Sequence, residues 1–85
     1  MGAWHALDCG MPTLVRLAGG KVAMYADDHG EPHFHVEAPD GRCSVSIERL
    51  AVIVGSVEPA VLRQALTWAR KNVELLRIRW KELNP

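Results

Sequence analysis

Two breaks in the sequence, Gly19-Gly20 and Pro39-Asp40-Gly41, each separate a pair of short, alternating apolar runs. Glycine accepts the positive φ angles that tight hairpin turns demand, so each break predicts a chain reversal between two antiparallel strands. The first pair is TLVRLA, Thr13 to Ala18, and KVAMYA, Lys21 to Ala26; the second is HFHVEA, His33 to Ala38, and RCSVSI, Arg42 to Ile47. Successive side chains on a strand point to opposite faces. Phe34, Val36 and Ala38 therefore share a core face with Cys43, Val45 and Ile47, while His33, His35 and Glu37 share the other with Arg42, Ser44 and Ser46. One register satisfies both strands. It sets Glu37 opposite Arg42, His35 opposite Ser44 and His33 opposite Ser46, with an opposite-charge pair directly across the ladder. In the first hairpin the same rule puts Val15, Leu17, Val22 and Met24 on the core face, and Arg16, Lys21, Ala23 and Tyr25 on the polar one.

Beyond the second hairpin, ERLAVIVGS fits either a short helix or a fifth strand, and the reading adopted is a short helix ending at Gly55. From Ser56 the pattern is helical: Ser56 or Glu58 can cap, Pro59 suits a first turn, and apolar residues recur at Leu62, Leu66, Ala69, Val73, Leu76, Trp80 and Leu83. A helix of about 25 residues would run about 38 Å, longer than a small sheet needs for cover. Part of it is then free to meet a partner, a second copy of the chain included. The expected fold class is α+β: a small antiparallel sheet of about four strands, in two hairpins, packed on one face by a short helix and a long C-terminal helix. Residues 11–85 form this single domain, and residues 1–10 an N-terminal arm or extended start.

Composition narrows the function classes. At 85 residues the chain supports one modest core. Lys plus Arg equals Asp plus Glu, 10 of each, so overall charge advertises neither nucleic acid nor membrane. Its distribution is uneven. Asp27 to Asp40 holds five acids and no Lys or Arg, whereas Glu58 to Glu82 carries Arg63, Arg70, Lys71, Arg77, Arg79 and Lys81 against three acids. Two cysteines, Cys9 and Cys43, make neither a disulfide scaffold nor a zinc-binding C-x-x-C pair. With no signal-peptide pattern and no apolar run long enough to span a bilayer, the expectation is a cytoplasmic protein with no membrane partner.

The chemistry is concentrated in DDHGEPHFHV, Asp27 to Val36, which holds three of the four histidines. Three readings stay open. In the first, His33 and His35, their bases roughly 6.6 Å apart on one strand face, share a divalent transition metal. His29 would then be the third ligand, or Asp27 or Asp28 swinging in from the loop, although the pattern demands no cofactor. In the second, His33, His35, His29 and Asp28 form a catalytic set. The histidines exchange protons while Arg16, Lys21 or Arg42 holds an anion and Tyr25 stacks or donates a hydrogen bond, as binding or cleaving RNA would require. In the third the stretch is a shaped polar loop: Asp27 and Asp28 bond loop N–H groups, Gly30 supplies an unusual backbone angle and Pro32 holds Glu31 extended. On the helix, Arg63, Arg70 and Arg77 recur every seven positions and form either a solvated flank or a docking line for RNA or an acidic partner. Trp68, off the main stripe, is a candidate interface anchor.

Together, MPTLVRLAGGKVAMYADDHGEPHFHVEAPDG and the closing ARKNVELLRIRWKELNP resemble a small bacterial family, domain of unknown function 4160. The most specific part is the D-H-x-x-P-H-x-H string, here Asp28, His29, Pro32, His33 and His35; the glycine turn, Asn72, Leu76 and Trp80 agree as well. The chain departs from the family where bulky aromatics give way to Val22, Ala23 and Met24, and where an acidic helix end gives way to RIRWKEL. Such genes often lie beside a second small domain of unknown function, numbered 2442. The resemblance therefore implies a toxin–antitoxin module in which this chain is the toxin and an antitoxin-like small protein its partner. A non-catalytic protein-interaction module is the rival class.

Overall fold

The computed structural model describes residues 12–85, so the expected arm at residues 1–10 lies outside the described residues. Among these, five strands form one antiparallel sheet in sequence order: β1 (Thr13–Leu17), β2 (Gly20–Ala23), β3 (His33–Ala38), β4 (Gly41–Ser46) and β5 (Val52–Ser56). Two helices follow, α1 (Pro59–Lys71) and α2 (Val73–Leu83). The fold is α+β, a five-stranded antiparallel sheet with two helices packed on it. The β3–β4 hairpin has the expected register, with His33 opposite Ser46, His35 opposite Ser44 and Glu37 opposite Arg42.

The first hairpin pairs differently within its turn. Leu17 lies opposite Gly20 and Arg16 opposite Lys21, so the reversal is made at Ala18 and Gly19 rather than by the two glycines. Each glycine has its own reason. Gly19 takes a φ of 87°, whereas Gly20 sits inside β2, where a Cβ would lie 2.6 Å from the Glu37 carbonyl oxygen.

The short helix expected to end at Gly55 is instead β5, paired with β4 through Arg42 opposite Ser56 and Ser44 opposite Val54. Val52, Ile53 and Val54 are β-branched and favour extended backbone. A tight turn delivers them to the edge: Leu50 adopts φ 51° and donates its N–H to the Ser46 carbonyl at 2.8 Å. Gly55, at φ 85°, passes so close to the Arg42 carbonyl oxygen that a Cβ would collide with it.

The single long C-terminal helix is also corrected. It breaks at Asn72, whose φ is −132° and whose side-chain amide donates to the Trp68 carbonyl at 2.8 Å. Val61, Ala65 and Ala69, four residues apart, form the buried stripe of α1, and two alanines there let the helix lie close against β1, β2 and β3. Gln64 pins the other end by exchanging hydrogen bonds with the Ala18 backbone at 3.0 and 3.2 Å. Past Asn72 the chain turns, and α2 crosses the end of the sheet instead of projecting: Leu76 is fully buried, Trp80 meets His33, and Arg77 meets Glu48. The core joins Val22, Met24, Phe34, Val36, Val45 and Ile47 to these helix residues. Burying each of the larger side chains contributes about 1.5–3 kcal/mol.

Candidate functional site

The loop between β2 and β3 is folded back over the start of β3 by the far end of the chain. Asp28 donates its backbone N–H to the Asn84 side-chain oxygen at 2.7 Å, Asn84 donates to the Tyr25 carbonyl at 3.4 Å, and the Asp27 N–H reaches the Leu83 carbonyl at 3.4 Å. Asp27 at φ 57° and Gly30 at φ 90° supply the left-handed bends, which Asp tolerates better than most side chains.

This fold places the Asp28 carboxylate above the strand. Its Oδ2 lies 2.9 Å from His33 Nε2 and 3.0 Å from His35 Nε2, and its Oδ1 accepts the His29 backbone N–H at 3.1 Å. Burial works to raise the Asp28 carboxyl, but bonds from His35, the His29 N–H and His33 outweigh it and hold the group below the ordinary carboxylate value. His33 Nδ1 is 2.8 Å from the Glu31 carbonyl oxygen, which can only accept, so Nδ1 carries a proton and donates it. His35 Nδ1 lies 3.4 Å from the Ser44 hydroxyl. The imidazole side chains are only 8% and 12% exposed. The polar face is therefore covered where it carries the histidines, by the loop and by the Trp80 ring, 5.1 Å from that of His33.

The network continues on both sides. Glu31 accepts from Arg49 at 2.8 Å and from Ser46 Oγ at 2.7 Å, bonds that hold its carboxyl below the ordinary value. On the other side Tyr25 stands edge-on to His35 and donates its hydroxyl to Glu37, which also faces Lys21 at 3.8 Å and Arg42 at 3.7 Å. Burial first, then the Glu37 carboxylate, pushes the Tyr25 hydroxyl up to about 12. Tyr25, Ala26, Asp28, His35 and Arg42 line a shallow pocket open to solvent.

Asp28, His33 and His35 thus come together, with Tyr25 and Arg42 beside them. His29 is exposed, and what it gives the cluster is a backbone N–H. Arg16 and Lys21 line a separate depression with Pro39. Arg70 is exposed on the last turn of α1, while Arg77 is paired with Glu48 and Glu74. Glu31, Ser46, Arg49 and Asn84 went unassigned in the sequence reading. Ser46 and Glu31 carried a signal, a hydroxyl opposite His33 and an acid next to the strand, but nothing local marks Asn84.

Among the described residues Asp28, His33 and His35 can hold a metal: one ligand atom from each lies within 4.8 Å of the others. Two imidazoles and one carboxylate are also a common donor set for transition ions.

A family model, Domain of unknown function (DUF4160), matches residues 19–81. The chain belongs to the DUF4160 family. No curated protein and no solved structure matches it. The DUF4160 match takes in every residue of the D-H-x-x-P-H-x-H string, as well as Tyr25, Arg42 and Trp80, and leaves β1 outside. Within this DUF4160 domain the string has a geometric meaning: Asp28 is the cap, His33 and His35 are the strand face under it, and Pro32 leads into that strand. No described helix is long and apolar enough to cross a membrane.

Proposed function

We propose that this DUF4160 chain is the toxin component of a toxin–antitoxin module and acts on RNA through the face centred on Asp28, His33 and His35. The observation that carries the reading is the convergence of these three side chains beside a solvent-open pocket lined by Tyr25 and Arg42. Cleaving a phosphodiester requires a group that takes the proton of the attacking hydroxyl and a cation that holds the phosphate oxygens. The cluster is suited to the first task. Arg42, whose side chain is 66% exposed and lies 3.7 Å from Glu37, is suited to the second. The partner is an antitoxin-like small protein that covers this face or the adjoining α2. Induced expression of the wild-type chain should arrest growth, and the His33→Ala, His35→Ala double variant should not, with circular dichroism verifying that the variant folds. A folded double variant that arrests growth as fully as wild type removes the face from the mechanism.

The rival, a non-catalytic interaction module, is favoured by one observation: on the edge strand β5, Val52, Ile53 and Val54 are 41%, 42% and 64% exposed. Under that reading purified protein leaves RNA intact and binds its partner tightly, and the loss of binding maps to β5 rather than to the histidines.

A further inference from the structure

We infer that Asp28, His33 and His35 form a binding site for one divalent transition-metal ion of the zinc, cobalt or nickel class. The His33 Nδ1–H is committed to the Glu31 carbonyl at 2.8 Å, so in a neutral ring the lone pair sits on Nε2. That lone pair faces a carboxylate oxygen 2.9 Å away, and His35 brings a second ring nitrogen to the same oxygen at 3.0 Å. Either a proton or a metal ion can bridge a ring nitrogen and the carboxylate oxygen at this distance. A metal ion does so with three donors, each of a type such ions prefer.

The spacing fits. With metal–ligand bonds of about 2.1 Å, ligand atoms at right angles stand about 3 Å apart, as Asp28 Oδ2 does from each ring nitrogen, and side-chain rotation that draws the two rings together completes the coordinating geometry. The outer contacts fit as well. Metal-bound histidines usually donate their other N–H to a carbonyl or carboxylate, which fixes both ring and tautomer. Glu31 supplies that carbonyl to His33, and is itself held by Ser46 and Arg49 at 2.7 and 2.8 Å. The Ser44 hydroxyl, 3.4 Å from His35 Nδ1, and the His29 N–H on Asp28 Oδ1 orient the other two donors. Three protein ligands leave a coordination position for water, and the pocket beside Asp28 and His35 gives it access to solvent.

The inference does not depend on action on RNA. A chain that binds the ion and spares RNA refutes the proposed function alone. The competing arrangement is a doubly protonated His33 paired with Asp28, which needs no ion.

The test uses the full chain, stripped of metal by chelator and titrated with Co2+ and Zn2+, with visible absorption following cobalt and calorimetry following zinc. One ion per chain is expected, with a cobalt spectrum of mixed nitrogen and oxygen ligation and a rise in unfolding temperature on adding zinc. His35→Ala and Asp28→Asn, each verified as folded by circular dichroism, should weaken binding at least about 100-fold, and His29→Ala should bind as wild type does. Absence of stoichiometric binding, or binding that survives both ligand variants, overturns the site. Equal loss in His29→Ala would overturn the choice of Asp28 as third ligand.

Discussion

The Trp80 indole lies over the His33 imidazole with 5.1 Å between ring centroids at a tilt of 51°. The last helix is therefore a wall of the site as well as part of the core. Trp80→Ala should cost about 3 kcal/mol in urea unfolding and uncover His33 to solvent. Trp80→Phe should retain most of that stability. Equal losses from the two would show that the indole contributes no more than its position on the helix.

Leu75 and Leu76 are sequence neighbours with opposite surroundings, 42% and 0% exposed. Leu76→Ala should destabilise by about 2–5 kcal/mol, because it opens a cavity between α2 and the sheet. Leu75→Ala should change stability by no more than about 0.5 kcal/mol. Comparable effects would mean that the helix after Asn72 is rotated about its axis.

Gly55 combines a φ of 85° with a close approach to the Arg42 backbone. Gly55→Ala should destabilise by more than about 1 kcal/mol, since strain and collision act together. The loss should concentrate in β5, read as faster amide exchange there than in β3.

Arg77 donates to Glu48 at 3.0 and 3.2 Å, and that bonding, with the guanidinium charge behind it, holds the Glu48 carboxyl below its ordinary 4.5. A depressed carboxyl stabilises the fold above its unfolded value, and that contribution is lost as pH falls through the folded one. The effect on stability is small because both side chains are substantially exposed. An NMR titration should give a Glu48 midpoint under 4.5 that returns to the ordinary range in Arg77→Ala. An unmoved midpoint would detach α2 from this end of the sheet.

The β3–β4 register was legible because Phe34, Val36, Cys43 and Val45 alternate in phase on either side of a strong turn. For ERLAVIVGS the pattern was equivocal, and β5 is set by the β-branched run together with backbone angles at Leu50 and Gly55. The break at Asn72 was hidden because Val73, Leu76 and Trp80 continue the apolar stripe of α1; what bends the chain is docking on the sheet's end. At the site, strand alternation alone put His33 and His35 on one face. The preference for Asp28 over His29 as their companion depends on Asn84, 56 positions away, and no local pattern carries that information.

That distance has a consequence for the order of assembly. The two hairpins can form from contacts within their own segments, whereas the cap over His33 and His35 needs the last turn of the last helix to be in place. The cap over the cluster thus depends on a contact of high sequence separation. Release of Asn84 and exposure of the histidines become one event, so the backbone amides of Asp28 and Asn84 should exchange with solvent at a shared rate.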